Sequence, residues 1–248
     1  MNKRNLFFLS VFFLAQEVAL AQARTPLAAN IDLRNIMASP QFSNSVQLIL
    51  ALALISLVPF FLISVTSFLR IIIVFSLART AVGTQQVPPS TVIVGLALFM
   101  TVFIMSPVWK EINETAVIPY NQGKISQMKA FEIGMKPLQN FMLRQTREKD
   151  LALFVQFARI ETPKTADEIP IYVLIPSFMI SELKTAFQIG FLLFIPFIMI
   201  DLTVANILLS LGMFMLSPVM VSLPFKVLLF VLVDGWNLIS RGLLMSFR

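Results

Sequence analysis

The chain has 248 residues, of which 57% are hydrophobic and only 13% charged, with a mean hydropathy of +0.84. A soluble domain of this size cannot hide so much apolar surface, so the composition excludes a soluble globular protein and indicates an integral membrane protein. The net charge of +6 comes from Lys and Arg scattered along the chain, which fits membrane-protein tails and loops and argues against a nucleic-acid partner.

With no cysteine and no histidine, the chain has no disulfide or thiol chemistry and lacks the commonest metal ligand and general base. It holds no phosphate-binding loop, zinc-hydrolase or serine-hydrolase motif. The reading is a non-enzyme with no cofactor and no metal.

At the amino terminus Lys3 and Arg4 precede the apolar run Leu6–Ala15, and Ala19–Ala21 closes the stretch. A basic start, an apolar run too short to span, and a small-x-small site together predict a signal peptide cleaved after Ala21. The mature chain then starts outside the cytoplasm, with residues 22–45 as an extracytoplasmic segment.

Residues 46–109 are predicted to form a first helical hairpin. Val46–Leu69 is uncharged and interrupted by Pro59, and Thr91–Trp109 follows the helix-start signal Pro88–Ser90. Between them residues 70–90 read as a cytoplasmic loop, carrying Arg70 and Arg79 and no acid.

Residues 110–184 are expected to form a helical extracytoplasmic module. Met128, Phe131, Met135, Leu138 and Met142 recur at helical spacing, with Ser126 as a cap and Pro137 as a break or kink. Leu151, Phe154, Val155 and Ala158 make a second face after Arg144–Asp150, and Glu161–Pro170 reads as a loop.

The tract Thr185–Val233 holds only Asp201 and Lys226 as charges. At about 1.5 Å per residue it would exceed twice the hydrocarbon core, so it must fold into two segments, turning between Gly212 and Pro218. Residues 185–248 thus form a second hairpin. The fold class is an all-α membrane protein with about four apolar segments in kinked hairpins and a small helical module between the second and third.

Glu182 and Lys184 sit where the third segment begins, and Asp201, Lys226 and Asp234 lie in or beside the last two. Charges in lipid are costly, so all five should face protein or water. Three readings are open: pairing within or between subunits, an ion or proton pathway, and an aspartyl dyad of Asp201 with Asp234. The last lacks the GxGD context of intramembrane aspartyl proteases, because Asp234 sits in VDGW.

The turn itself is unusual, with Met213, Met215 and Met220 beside Gly212, Pro218 and Pro224. Methionine fills irregular gaps in cores, which is the plain reading. Irregular backbone at membrane depth is tolerated only when buried in protein or lining a cavity. On that ground the same side chains could close a pore and still deform around a passing chain.

Three blocks resemble a known family. Thr66–Val108 and Ser181–Trp236 are similar to the two signature regions of the FliP family of type III secretion export-gate proteins, and Pro137–Phe154 to the outer module between them. The resemblance implies the core channel subunit of the flagellar export gate in the bacterial inner membrane. It implies a homo-oligomer of five copies with FliQ, FliR and FlhB, passing unfolded flagellar proteins through a central pore. It further implies a methionine gasket at Met213, Phe214 and Met215, with Phe214 in the middle place of the family's three consecutive methionines. The other functional class open to the sequence is an ion-conducting or secondary transporter subunit using Asp201 and Asp234.

Overall fold

The computed structural model describes residues 40–84, 86–160 and 168–247. The predicted signal peptide with its site at Ala21, most of the segment 22–45, and most of the Glu161–Pro170 loop lie outside them. Two compact units are distinguished, residues 1–57 and 58–248. The first contributes only the start of helix α1 to the described residues.

The regular structure among those residues is all helical, without a strand. The elements are α1 (Pro40–Val65), α2 (Phe68–Val82), α3 (Ser90–Ile112), a π-helical turn (Asn113–Val117), α4 (Ile118–Asn121), α5 (Gln127–Gln145), α6 (Glu148–Ala158), α7 (Ile171–Ser210), α8 (Pro218–Leu232) and α9 (Gly235–Met245). Three stretches are long and apolar enough to cross a membrane: Val46–Val65, Ser90–Asn121 and Ile171–Ser210. α8 and α9, bent by 60°, make a fourth if taken as one span. This agrees with about four apolar segments.

Local chemistry explains where α1 stops. Ser64 Oγ donates to the Phe60 carbonyl at 2.7 Å, and the Thr66 hydroxyl donates to the Leu62 carbonyl while accepting from Phe68 N–H at 3.3 Å. Side chains that bond back to the backbone compete with the helix ladder, and the chain restarts as α2. The expected loop over 70–90 is therefore corrected: its first thirteen residues are helix, and only the stretch after Val82 connects to α3.

α2 is the centre of the larger core. Ile71, Val74, Phe75 and Ala78 recur at three- and four-residue steps and are buried against α7, α3 and the carboxy-terminal helices. α7 approaches α2 closely because position 190 is glycine. A Cβ there would lie 2.2 Å from Leu77 Cδ1 and 3.2 Å from its Cβ and Cγ.

A second, smaller core joins α5 and α6 to the start of α7 through Met142, Val155, Val173, Leu174 and Phe178. The Ser126 cap forms as expected, its hydroxyl accepting from Lys129 N–H at 3.4 Å. Pro137 does not break α5, which runs on to Gln145.

α7 has forty residues, about 60 Å at the standard rise, roughly twice the thickness of a hydrocarbon core. The boundary expected after Lys184 falls inside this helix and does not end it. What marks that level instead is a change in surroundings: the smaller core lies before Ser181 and the larger one after Thr185.

Candidate functional site: a polar belt and a methionine turn

Where the two cores meet, α7 carries Ser181, Glu182, Lys184, Thr185 and Gln188, and each finds a polar partner. Glu182 is fully buried and Arg70 is 2% exposed, and the two form a bidentate ion pair between α7 and α2. Arg70 Nε donates to Glu182 Oε2 at 2.9 Å and one terminal nitrogen to Oε1. That nitrogen also donates to Gln145 Oε1 at 2.9 Å. The other terminal nitrogen donates to the Ser246 carbonyl and hydroxyl at 3.1 and 3.0 Å, while the guanidinium stacks 3.9 Å from the Phe247 ring centroid. All five guanidinium donors are thereby used. One arginine ties α2, α5, α7 and the carboxy terminus together.

A second cluster docks α6 on α7 at the same level. Asp150 is 2% exposed; it pairs with Lys184 and accepts from the Ser181 hydroxyl at 2.9 Å. Arg147 N–H donates to Ser181 Oγ at 3.0 Å, and its guanidinium to Thr185 Oγ1 at 3.1 Å and Gln188 Oε1 at 2.6 Å. Burial raises the Asp150 carboxyl. The bonds from Lys184 and Ser181, with the charges of Lys184 and Arg147, outweigh it and hold the group below the usual carboxylate range.

A depressed folded value means stability that is present above the ordinary carboxylate pKa of about 4 and lost as pH falls through the folded one. Amide exchange in α6, corrected for its intrinsic pH dependence, is expected to accelerate only below about pH 4. Asp150→Asn should remove that step and leave α6 poorly protected at neutral pH as well.

Further along, Lys226 is 5% exposed and donates to Asp201 Oδ2 at 2.6 Å, while Ser222 Oγ donates to Asp201 Oδ1 at 2.5 Å. Ser222 and Lys226 stand four apart and so share one face of α8. They clamp α8 to α7. Asp234 is elsewhere: it is exposed, has φ +51°, and accepts from Asn237 Nδ2 at 3.0 Å. Twelve residues of mostly helical rise, about 18 Å, separate it from Ser222, so Asp201 and Asp234 do not form a dyad.

The turn between these helices is an ordered cap. Gly212 takes φ +75°, its N–H bonds the Leu209 carbonyl at 3.1 Å, and Met213 N–H bonds the Leu208 carbonyl at 2.9 Å. This is a Schellman ending, and glycine meets its left-handed requirement without a Cβ penalty. Pro218 then starts α8 at a position where its missing N–H costs nothing. The tip presents Met213 46%, Phe214 76% and Met215 100% exposed, with Met220 at 71%. It is an apolar knob that its own chain leaves uncovered.

Sequence reasoning singled out Glu182, Lys184, Asp201, Lys226 and Asp234; the structure gives the first four an opposite charge, whereas Asp234 is exposed and bonded only locally to Asn237. The sequence reading missed Arg70, read as a loop residue, and it missed Asp150, Gln145 and Ser246. The partners of Arg70 lie 75, 112 and 176 residues away along the chain. The available signal was that a lone arginine ending a long uncharged run needs a countercharge.

These features define a polytopic helical membrane protein in which, among the described residues, each buried charge is paired. Among the described residues no group of acids could hold a metal ion. A family model described as the FliP family matches residues 51–243. Flagellar biosynthetic protein FliP of Bacillus subtilis is 53% identical over 83% of this chain and 93% of its own length. Those of Treponema pallidum and Borreliella burgdorferi are 43% and 41% identical, covering 99% and 98% of this chain and 97% and 99% of their own. The chain belongs to the FliP family.

Proposed function

We propose that this chain is the core channel subunit of the flagellar type III export gate, a transmembrane component of flagellum biogenesis that assembles with copies of itself around a central pore. FliQ, FliR and FlhB are its expected neighbours, unfolded flagellar proteins its cargo, and the bacterial inner membrane its site. Family membership over most of the chain supports the flagellar role. The observation that carries the pore reading is the uncovered tip at Met213–Met215. An apolar knob on a rigid cap, exposed in the single chain, suits closure against equivalent knobs of neighbouring copies.

Methionine fits that task physically. Its unbranched, polarisable side chain packs in many conformations, so a ring of them can exclude ions and still part for an extended polypeptide. Phe214 adds apolar bulk with fewer conformations. The Asp201 clamp fixes the pair of helices that carries the tip, and the belt around Arg70 fixes α7 itself.

Met213→Ala combined with Met215→Ala is expected to leave the complex assembled and to raise its permeability to ions and small solutes. Uptake of a normally excluded small solute, alongside recovery of the complex from membranes, measures both. Unchanged tightness with full assembly contradicts the seal.

A further inference from the structure

The carboxy-terminal end of α2 meets the helix pair that carries the tip. Gly83 closes α2 in the left-handed region at φ +87°, and its N–H bonds the Thr80 carbonyl at 3.0 Å. A Cβ at that position would lie 3.2 Å from Leu223 Cδ1 and 4.0 Å from Lys226 Nζ. Leu223 and Lys226 stand three apart on α8 and so share a face. The ammonium that holds Asp201 thus lies against the end of α2, where the carbonyls of a helix's last turn carry partial negative charge.

We infer that Gly83 is a positioning residue for the seal. The end of α2 sets where Lys226 sits, the Lys226–Asp201 pair ties α8 to α7, and those two helices carry the tip. The last step rests on the seal proposed above. The junction is built within one chain and Lys226 is already covered there, at 5% exposure, so it needs no surface that assembly would close.

Glycine meets two demands at position 83, a left-handed backbone and a close approach to α8. The end of α2 is itself braced. The Thr84 hydroxyl donates to the Arg79 carbonyl at 3.3 Å, and one Arg79 terminal nitrogen donates to the Pro88 carbonyl at 3.2 Å and to Ser90 Oγ at 3.1 Å. That bracing favours movement of α8 over movement of the connection when a side chain is added at position 83.

Gly123 supplies the control: its φ is also positive, at +71°, but nothing lies within 4 Å of a Cβ built there. Gly83→Ala and Gly123→Ala therefore share backbone strain, and only the first adds a contact on α8. Both are compared in the natural chain and together with Asp201→Ala. Gly83→Ala is also combined with Leu223→Val, which removes the atom at 3.2 Å. Unfolding of the purified complex in detergent reads the junction. Solute uptake by cells reads the seal, with Met213→Ala/Met215→Ala showing whether the tip seals at all.

Gly83→Ala should lower the unfolding midpoint about 2–4 °C further than Gly123→Ala does. It should also raise uptake severalfold, where Gly123→Ala leaves uptake unchanged. Leu223→Val should recover most of both effects. Alongside Asp201→Ala the excess over Gly123→Ala should shrink by half or more, because the grip it acts through is already released. Equal effects of the two glycine changes overturn the positioning role, as does an excess that Asp201→Ala leaves unaltered. The expected unfolding pattern with unchanged uptake, where the tip alanine variant leaks, overturns the link to the seal alone. Tightness of the tip alanine variant as well overturns the seal, and the unfolding pattern still decides the role of Gly83.

Discussion

Glu182→Ala is expected to destabilise the protein by about 3–5 kcal/mol, the largest effect of any single substitution considered, because it strands a buried guanidinium without its countercharge. Arg70 is 2% exposed and Glu182 fully buried, so water cannot take over the lost partner. Arg70→Ala should cost a similar amount, since it also removes the stacking on Phe247 and the bonds to Gln145 and Ser246. Arg70→Lys is not conservative here: a lysine brings three donors on a point charge where five are used in a planar fork. The double change Arg70→Met/Glu182→Leu should be milder than either single alanine variant, because it removes both charges and refills the volume. Reversible unfolding in detergent across this cycle measures it. Additive losses would mean that the two residues do not act as a pair.

Asp201→Ala should cost about 2–3 kcal/mol, less than the Glu182 change because the Asp201 side chain is 30% exposed and its attraction to Lys226 is screened by solvent. The loss comes from leaving the nearly buried Lys226 ammonium unpaired and from freeing Ser222. Asp201→Asn keeps an acceptor for Ser222 and should lose about half as much. The same variants test function, since the bonds of Lys226 and Ser222 to Asp201 tie α8 to α7 below the turn. Asp201→Ala should therefore leak in the solute-uptake assay as well as unfold more easily. Asp234→Asn, which suits the left-handed backbone at φ +51° and keeps an acceptor for Asn237 on an exposed residue, should be close to neutral in stability. A stability loss at Asp234 as large as at Asp201 would contradict this division of roles.

The long apolar tracts were legible because bilayer-length runs need only composition to be read. The turn was legible too: a 49-residue apolar tract had to fold back, and glycine followed by proline marked where. The Schellman bonds and Pro218 at the start of α8 are the physical form of that punctuation. Residues 70–82 misled because a basic residue after an uncharged run is also what a cytoplasmic loop looks like. Whether Arg70 faces water or Glu182 depends on a contact that no local window contains. The boundary at Lys184 was read wrongly as the end of an element. The helix continues, and its polar side chains there serve the belt between two cores rather than a loop.

Each acid on α7 is in direct contact with a base on another helix, Glu182 with Arg70 and Asp201 with Lys226, and a neutral pair needs no aqueous pathway to exist. Asp201 engages Lys226 and Ser222 rather than Asp234, and the apolar tip stays exposed among the described residues.

The most direct test is a density map of the purified multi-copy complex at a resolution that places side chains. The account predicts a ring of equivalent copies with Met213, Phe214 and Met215 of each directed at the shared axis and meeting there in the resting state. Tips directed at lipid, or packed inside a neighbouring subunit away from any axis, would contradict it.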